Sequence, residues 1–268
     1  MRIDNKQNRY EAAEPLYLEV SEMKKKLLRE EHPNIAAELN NLAALYYSQG
    51  RYKKAEPLYL EVLEMRKKLL GEEHPNVATN LNNLATLYYN QRKYEEAEPL
   101  YLKAIELYKK LLGEEHPDVA NSLNNLGNLY KNQERYEEAE PLYLKAIELY
   151  KKLLGEEHPD VATSLNNLAS LYNNQGRYSE AKPLYLEALE ISKKTLGKEH
   201  PNIAIRLNNL ATLYNNQRRY EQAKSLYLEA LEISKKTLGE EHPNTITIKG
   251  NYELLINSQN SKNHQKFP

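Results

Sequence analysis

The dipeptide His-Pro starts at positions 32, 74, 116, 158, 200 and 242, a spacing of 42 residues every time. The sequence between these marks repeats with them. Residues 76–117 and 118–159 differ at eight of 42 positions, all of them before position 94, and the stretch 94–117 recurs unchanged. A fixed period of this length means one supersecondary unit copied along the chain, whose copies must stack to bury their apolar faces. Composition fits such a stack: 22 Tyr against one Phe and no Trp suits thin, half-exposed layers better than one large interior.

Each unit reads as two helices. The first is expected over about 76–91, where Val77, Leu81, Leu84, Ala85, Leu87 and Tyr88 recur at three- and four-residue steps. The Asn or Asp after each His-Pro supplies the expected capping oxygen. A short turn follows, then a second helix over about 94–112 with Ala97, Leu100, Tyr101, Ala104, Ile105, Tyr108 and Leu111 on its apolar stripe. Gly113 stands where a left-handed C-cap is expected to end it. At 1.5 Å per residue the helices are about 24 and 28 Å long.

The charge balance narrows the function classes. With 37 basic and 38 acidic side chains the chain carries no basic excess, which argues against nucleic acid or an anionic membrane as partner. No apolar run is long enough for a bilayer, and the start has no signal-peptide core, so a cytoplasmic location is expected by default. Without cysteine there are no disulfides, thiolate metal sites or cysteine nucleophiles.

The spacing Leu81-x-x-Leu84-Ala85-x-x-Tyr88, then Tyr94-x-x-Ala97-x-x-x-Tyr101-x-x-Ala104, resembles the tetratricopeptide signature. Leu81 stands for the usual Trp, and Ala85 for the usual Gly, which Gly127 keeps. The second helix continues about two turns further than in the 34-residue repeat. This long form, with its HP-(N/D)-x-A opening, LNNLA core and AEPLY segment, is similar to the repeats of kinesin light chains and their bacterial relatives. The resemblance implies an all-α, right-handed solenoid of stacked helix-turn-helix hairpins. Laid along the chain, it gives a single solenoid over 1–258. This comprises a half repeat at 9–28, full hairpins at 34–70, 76–112, 118–154, 160–196 and 202–238, and a capping helix at 244–257. Lys249 and Glu253 stand on that cap where Leu207 and Ala211 stand one repeat earlier, so its outer face is expected to meet water. Residues 259–268 are expected as a disordered polar tail.

Several motifs have plain structural accounts. Each repeated His lies in a separate inter-hairpin loop, whereas a metal needs three or four converging ligands, so no metal and no cofactor are expected. Pro57, Pro99, Pro141 and Pro183 lie near the starts of second helices, where a proline loses at most a bond or two. Glu95, Glu96 and Glu98 crowd one helix start and Lys109 and Lys110 its end, an order that suits the helix dipole.

The asparagines point to function. Every full unit carries LNNL, and in the resembled family the second Asn bonds neighbouring backbone while the first belongs to the stripe lining a concave groove. Carried over, that stripe comprises Ala37, Asn40, Ala44, Tyr47 and Ser48 in the first unit, and Thr79, Asn82, Thr86, Tyr89 and Asn90 in the second. It continues through Asn121, Asn124, Asn128, Lys131 and Asn132, then Thr163, Asn166, Ser170, Asn173 and Asn174, then Ile205, Asn208, Thr212, Asn215 and Asn216. Primary amides carry a donor and an acceptor, so a ladder of them matches the C=O and N–H of an extended peptide. The expected function is therefore a scaffold or adaptor holding a protein or peptide partner in this groove, with no enzymatic activity. Lys131 is the only formal charge of the stripe, so the basic sets with which related domains grip carboxylates or acidic motifs are missing. The alternatives are head-to-tail self-association through the chain ends, or service as a regulatory segment of a larger signalling protein.

Overall fold

The computed structural model describes residues 33–264, with side chains through position 259. The half repeat expected at 9–28 therefore lies outside the described residues, as do 265–268. All regular elements among the described residues are α-helices. In chain order they are α1 (Pro33–Ser48), α2 (Tyr52–Leu70), α3 (Pro75–Asn90), α4 (Tyr94–Leu112), α5 (Pro117–Asn132), α6 (Tyr136–Leu154), α7 (Pro159–Asn174), α8 (Tyr178–Leu196), α9 (Pro201–Asn216), α10 (Tyr220–Leu238) and α11 (Pro243–His264). Each hairpin pairs a first helix of 16 residues with a second of 19. α11 runs on to His264, so the segment 259–264, expected as tail, is helical.

The helix ends have different chemistry from that expected. The capping atom is the histidine Nδ1, not the Asn or Asp oxygen. His74 accepts from the Asn76 N–H at 3.1 Å, and His116, His158, His200 and His242 repeat the bond at 3.1–3.2 Å. The reason is position: His116 has extended backbone (φ −130°, ψ 143°), which turns its ring over the first unpaired amides, while Pro117 and Asp118 are already inside the helix. At the other end Gly113 has φ 91° and ψ 161°, not the left-handed helical values expected. That region is open essentially to glycine alone, and the glycine requirement stands for a different geometry.

The contacts divide the described residues into two compact units, one running through Leu149 and one from Tyr150 onward. In the first unit, α1–α2 and α3–α4 are hairpins, and α5 packs on α4 and touches α3. Their joints are layers of Tyr over Ala. Tyr101 is 1% exposed and donates its hydroxyl to Thr86 Oγ1 at 2.9 Å, and Ala85 and Ala97 are wholly buried. In the next hairpin Tyr143 covers Gly127 so closely that a Cβ there would lie 3.0 Å from its Cε1. Burial pushes the Tyr59 phenol up to about 12, and Tyr101 and Tyr143 further still.

In the second unit, α7–α8 and α9–α10 are hairpins, and α11 packs on α10 and α9. Leu255 of α11 joins Ala211, Ala223 and Tyr227 in one cluster, while Lys249 and Glu253 are exposed and pair at 3.9 Å. Between the hairpins Arg206 is 6% exposed, with its guanidinium on the Ala162 carbonyl, Ser192 Oγ and Thr163 Oγ1. Burial without a facing carboxylate pulls its pKa down to about 10.

Candidate functional site

The stripe carried by the first helices separates into three rows with different duties. The first row ties each hairpin to itself. Thr79 Oγ1 accepts the Tyr108 hydroxyl at 2.9 Å while donating to the Pro75 carbonyl, and Thr86 accepts Tyr101 while donating to the Asn82 carbonyl. Asn128 accepts from Tyr143 at 2.7 Å, Thr212 pairs with Tyr227 at 2.9 Å, and Ser170 bonds Tyr185. These groups hold the tyrosine of the second helix under the first.

The second row is the first Asn of each LNNL. In the first unit Asn40 Oδ1 accepts from Asn80 Nδ2 at 3.3 Å, and Asn82 Oδ1 from Ser122 Oγ at 3.0 Å. In the second unit Asn166 Oδ1 accepts from Asn209 Nδ2 at 3.1 Å, and Asn208 Oδ1 from Asn251 Nδ2 at 2.9 Å. Asn209 is a second Asn, and its bond goes to a side chain of the preceding hairpin, where the family pattern implied backbone. Each amide thus spends its carbonyl on the neighbouring first helix. The Nδ2 of Asn82 and of Asn166 keeps no partner among the described residues, and both side chains are half-buried. Asn124 and Asn208 are buried, at 8% and 9% exposure, and contribute little surface.

The third row lies one turn further on. Asn90 Nδ2 donates to Tyr47 Oη and to the Thr86 carbonyl, both at 2.8 Å, and Asn132 Nδ2 donates to Tyr89 Oη at 2.8 Å. Asn216 Nδ2 reaches Asn173 Oδ1 at 3.1 Å. Asn90, Asn132 and Asn216 are exposed, and their Oδ1 atoms have no hydrogen-bond partner among the described residues. Tyr47 and Tyr89 each lie beside the first Tyr of the following helix, with ring centroids 5.7 and 5.9 Å apart. Burial lowers the Lys131 pKa in this row. Asn121, Thr163 and Asn174 are exposed, and Asn215 is half-buried.

A feature missed in the sequence lies on the edge formed by the turns inside the hairpins. Arg135 makes a fork to Glu98 (2.7 and 3.1 Å) and another to Glu138 (both 2.7 Å), and stacks 3.9 Å from the Tyr130 centroid. Tyr130 Oη donates to the same Glu98 at 2.9 Å. The Arg135 hydrogen bond holds the Glu98 carboxyl below the usual range, and burial with the adjoining Glu98 pushes the Tyr130 phenol up to about 12. Arg51, Arg135 and Arg177 also donate to the Gln two residues earlier at 2.9–3.0 Å. Where Lys93 replaces the arginine, Gln91 Oε1 is buried without a partner, and the lysine Nζ stands 3.4 Å from Glu56. Glu98 was assigned to the helix dipole alone. The signal for its second role was the recurrence of a cation 37 residues after a glutamate.

The histidines do not gather: among the described residues no three His, Cys, Asp or Glu side chains are placed to hold a metal. No described helix is long and apolar enough to cross a membrane.

Comparison with known proteins gives one family. Its profile, tetratricopeptide repeat, matches residues 2–68, 35–110, 76–152, 118–194 and 160–223, and a second profile of the same description matches 203–244. No curated protein sequence matches the chain. Among solved structures it is similar to BtubC (BKLC) from P. vanneervenii, at 26% identity and a TM-score of 0.71 over 87% of this chain and 94% of that one. It is also similar to the putative kinesin light chain of Podosopora anserina with nearly identical TPR-like repeats, at 28% identity and a TM-score of 0.62 over 77% and 98% of the two chains. A point variant of that protein gives 29% and 0.64 over 77% and 97%.

Proposed function

The chain belongs to the tetratricopeptide repeat family, and from that premise we propose that it is a scaffold or adaptor whose first-helix stripe holds an extended segment of a protein partner. The observation that carries this reading is the division of labour among the amides. Asn82 and Asn166 have committed their carbonyls sideways and offer N–H groups, while Asn90, Asn132 and Asn216 have committed N–H groups and offer carbonyls. An extended peptide alternates the complementary groups, C=O and N–H, so within each unit both rows can be satisfied by main chain whatever its side chains. The lateral bonds fix the amides before a partner arrives, which lowers the entropy cost of binding. The role needs no catalytic step.

The test is selection of a random peptide library on the full chain, followed by affinities for N82D/N166D. Asn→Asp keeps the oxygen that accepts from Ser122 or Asn209 and replaces the N–H donors by a charged acceptor oxygen. Loss of about tenfold or more in affinity supports the groove, since a hydrogen bond across an interface is worth about that factor. Enriched peptides that bind the variant as well as the wild type place the partner elsewhere and sink the assignment.

A further inference from the structure

The turn edge changes character along the chain. In the second and third hairpins the turn cation is met by a glutamate of the preceding hairpin: Lys93 by Glu56, Arg135 by Glu98. Arg135 and Arg177 are each met again by a glutamate three residues on, Glu138 and Glu180. In the fifth hairpin both partners are gone. The residue equivalent to Glu56 and Glu98 is Lys182, and the one equivalent to Glu138 is Gln222. Lys182 and Arg219 consequently share one ring, that of Tyr214, at 5.7 and 4.6 Å from its centroid. Arg219 turns its Nε to Gln222, and Gln217 Oε1 is left buried without a partner. One repeat on, the same position is again a lysine, Lys224. Arg218 stands beside them with φ 61°, in the left-handed region. No carboxylate pairs with Lys182, Arg218, Arg219 or Lys224 among the described residues.

Neither the dipole nor the stitch between hairpins accounts for this. Lys182 and Lys224 sit in the N-terminal half of their helices, where a carboxylate is the favoured charge. The first unit carries an excess of the opposite charge on the same edge. Glu95, Glu96, Glu134 and Glu137 are exposed at the turns of the second and third hairpins and make no ion pair among the described residues, against one cation there without a carboxylate, Arg92. The turn at Gly50 is basic as well, which confines the acidic stretch to those two hairpins.

We propose that the basic edge of the second unit is a docking surface for a second copy of this chain, which it grips by the acidic edge of that copy's first unit. Each copy brings four cations that no carboxylate pairs, with Glu221 the one acidic residue beside them, to an edge with four unpaired carboxylates; Arg218 and Glu134 stand at the same place in the repeat. The net charge of −1 leaves no long-range repulsion between copies to overcome. The contact is heterologous, joining different surfaces of the two molecules. It stands independently of the groove reading, whose residues lie on the first helices.

Sedimentation equilibrium of the full chain tests it. The wild type associates at about 0.1 M salt and dissociates toward monomer at about 1 M, as the Debye length falls from about 10 to about 3 Å. K182E/K224E restores the glutamate that earlier repeats carry, so its fold is secure, and it weakens association by about tenfold or more. E134K/E137K weakens it equally from the other side. Mixed, the two variants regain a one-to-one complex, because one retains the basic edge and the other the acidic edge. A wild type that stays monomeric at low salt, a K182E/K224E chain that associates as tightly as wild type, or a mixture that stays monomeric overturns the proposal. A wild type that binds a poly-glutamate peptide on this edge but not itself overturns it in favour of a foreign acidic partner.

Discussion

Replacing Gly127 by Ala sets two known effects against each other at one atom. Gly127 lies inside α5, where alanine is favoured over glycine by about 1 kcal/mol. Against this, the new Cβ would meet Tyr143 Cε1 at 3.0 Å and Cδ1 and Cζ at 3.1 Å, all short of ordinary contact. That ring has nowhere to retreat. It is fully buried, and its hydroxyl is held at 2.7 Å by Asn128 Oδ1. Overpacking of this kind costs about 1–3 kcal/mol, so G127A is expected to be neutral to about 2 kcal/mol destabilising. The other hairpins contain the remedy. Ala211 packs with Tyr227 and has Thr212 beside it, and Ala85 precedes Thr86, the partner of Tyr101, with both hydroxyl pairs relaxed to 2.9 Å. G127A/N128T copies that arrangement and is expected to be stabilised by about 1 kcal/mol relative to wild type. Urea unfolding of the full chain measures both variants, with amide exchange in α5 and α6 as the local readout. If G127A alone gains the whole helix-propensity benefit, the close approach of Tyr143 is not a constraint and the reasoning fails.

Three further outcomes are expected. His116→Ala removes the cap of α5 and costs about 1 kcal/mol, with exchange faster at the Asp118 amide; an unchanged rate there contradicts the capping role. A double-mutant cycle on Glu98 and Arg135 gives a coupling of about 1 kcal/mol at neutral pH, against about 0.3 kcal/mol for Glu56 and Lys93, whose single bond is longer. Because Arg135 lowers the folded pKa of Glu98, the coupling is fully present above the ordinary carboxylate range and disappears as pH falls through the depressed folded value; a coupling that persists in acid would refute the ionic account. Lys93→Arg supplies the missing donor to Gln91 Oε1 and a fork to Glu56, and is expected to stabilise by about 1 kcal/mol in the same unfolding assay.

The sequence by itself determined the architecture, because a 42-residue period is a property of one chain read along its length. His-Pro, glycine and three- and four-residue spacing are local signals, and the all-helical repeat architecture followed from them. The family followed from the same residues. Local reading went astray where a short-range rule had two candidate atoms or two candidate geometries. His116 and Asp118 both offer a capping acceptor, and only the extended backbone at His116 selects the ring. Gly113 satisfies any cap with positive φ, and its ψ of 161° is set by the path to the next hairpin.

What only tertiary structure decided is the partner of each polar side chain. The bonds from Ser122 to Asn82, Arg135 to Glu98 and Asn132 to Tyr89 span 40, 37 and 43 residues. Their existence depends on how one layer lies on the next. Sequence placed the asparagines on one stripe but left every amide group equally available. Packing then committed the carbonyl of Asn82 and the N–H of Asn132, buried Asn124 and Asn208, and left a smaller set of donors and acceptors unspent. Hydrogen-bond capacity belongs to the residue type, whereas the part of it left unspent belongs to the fold.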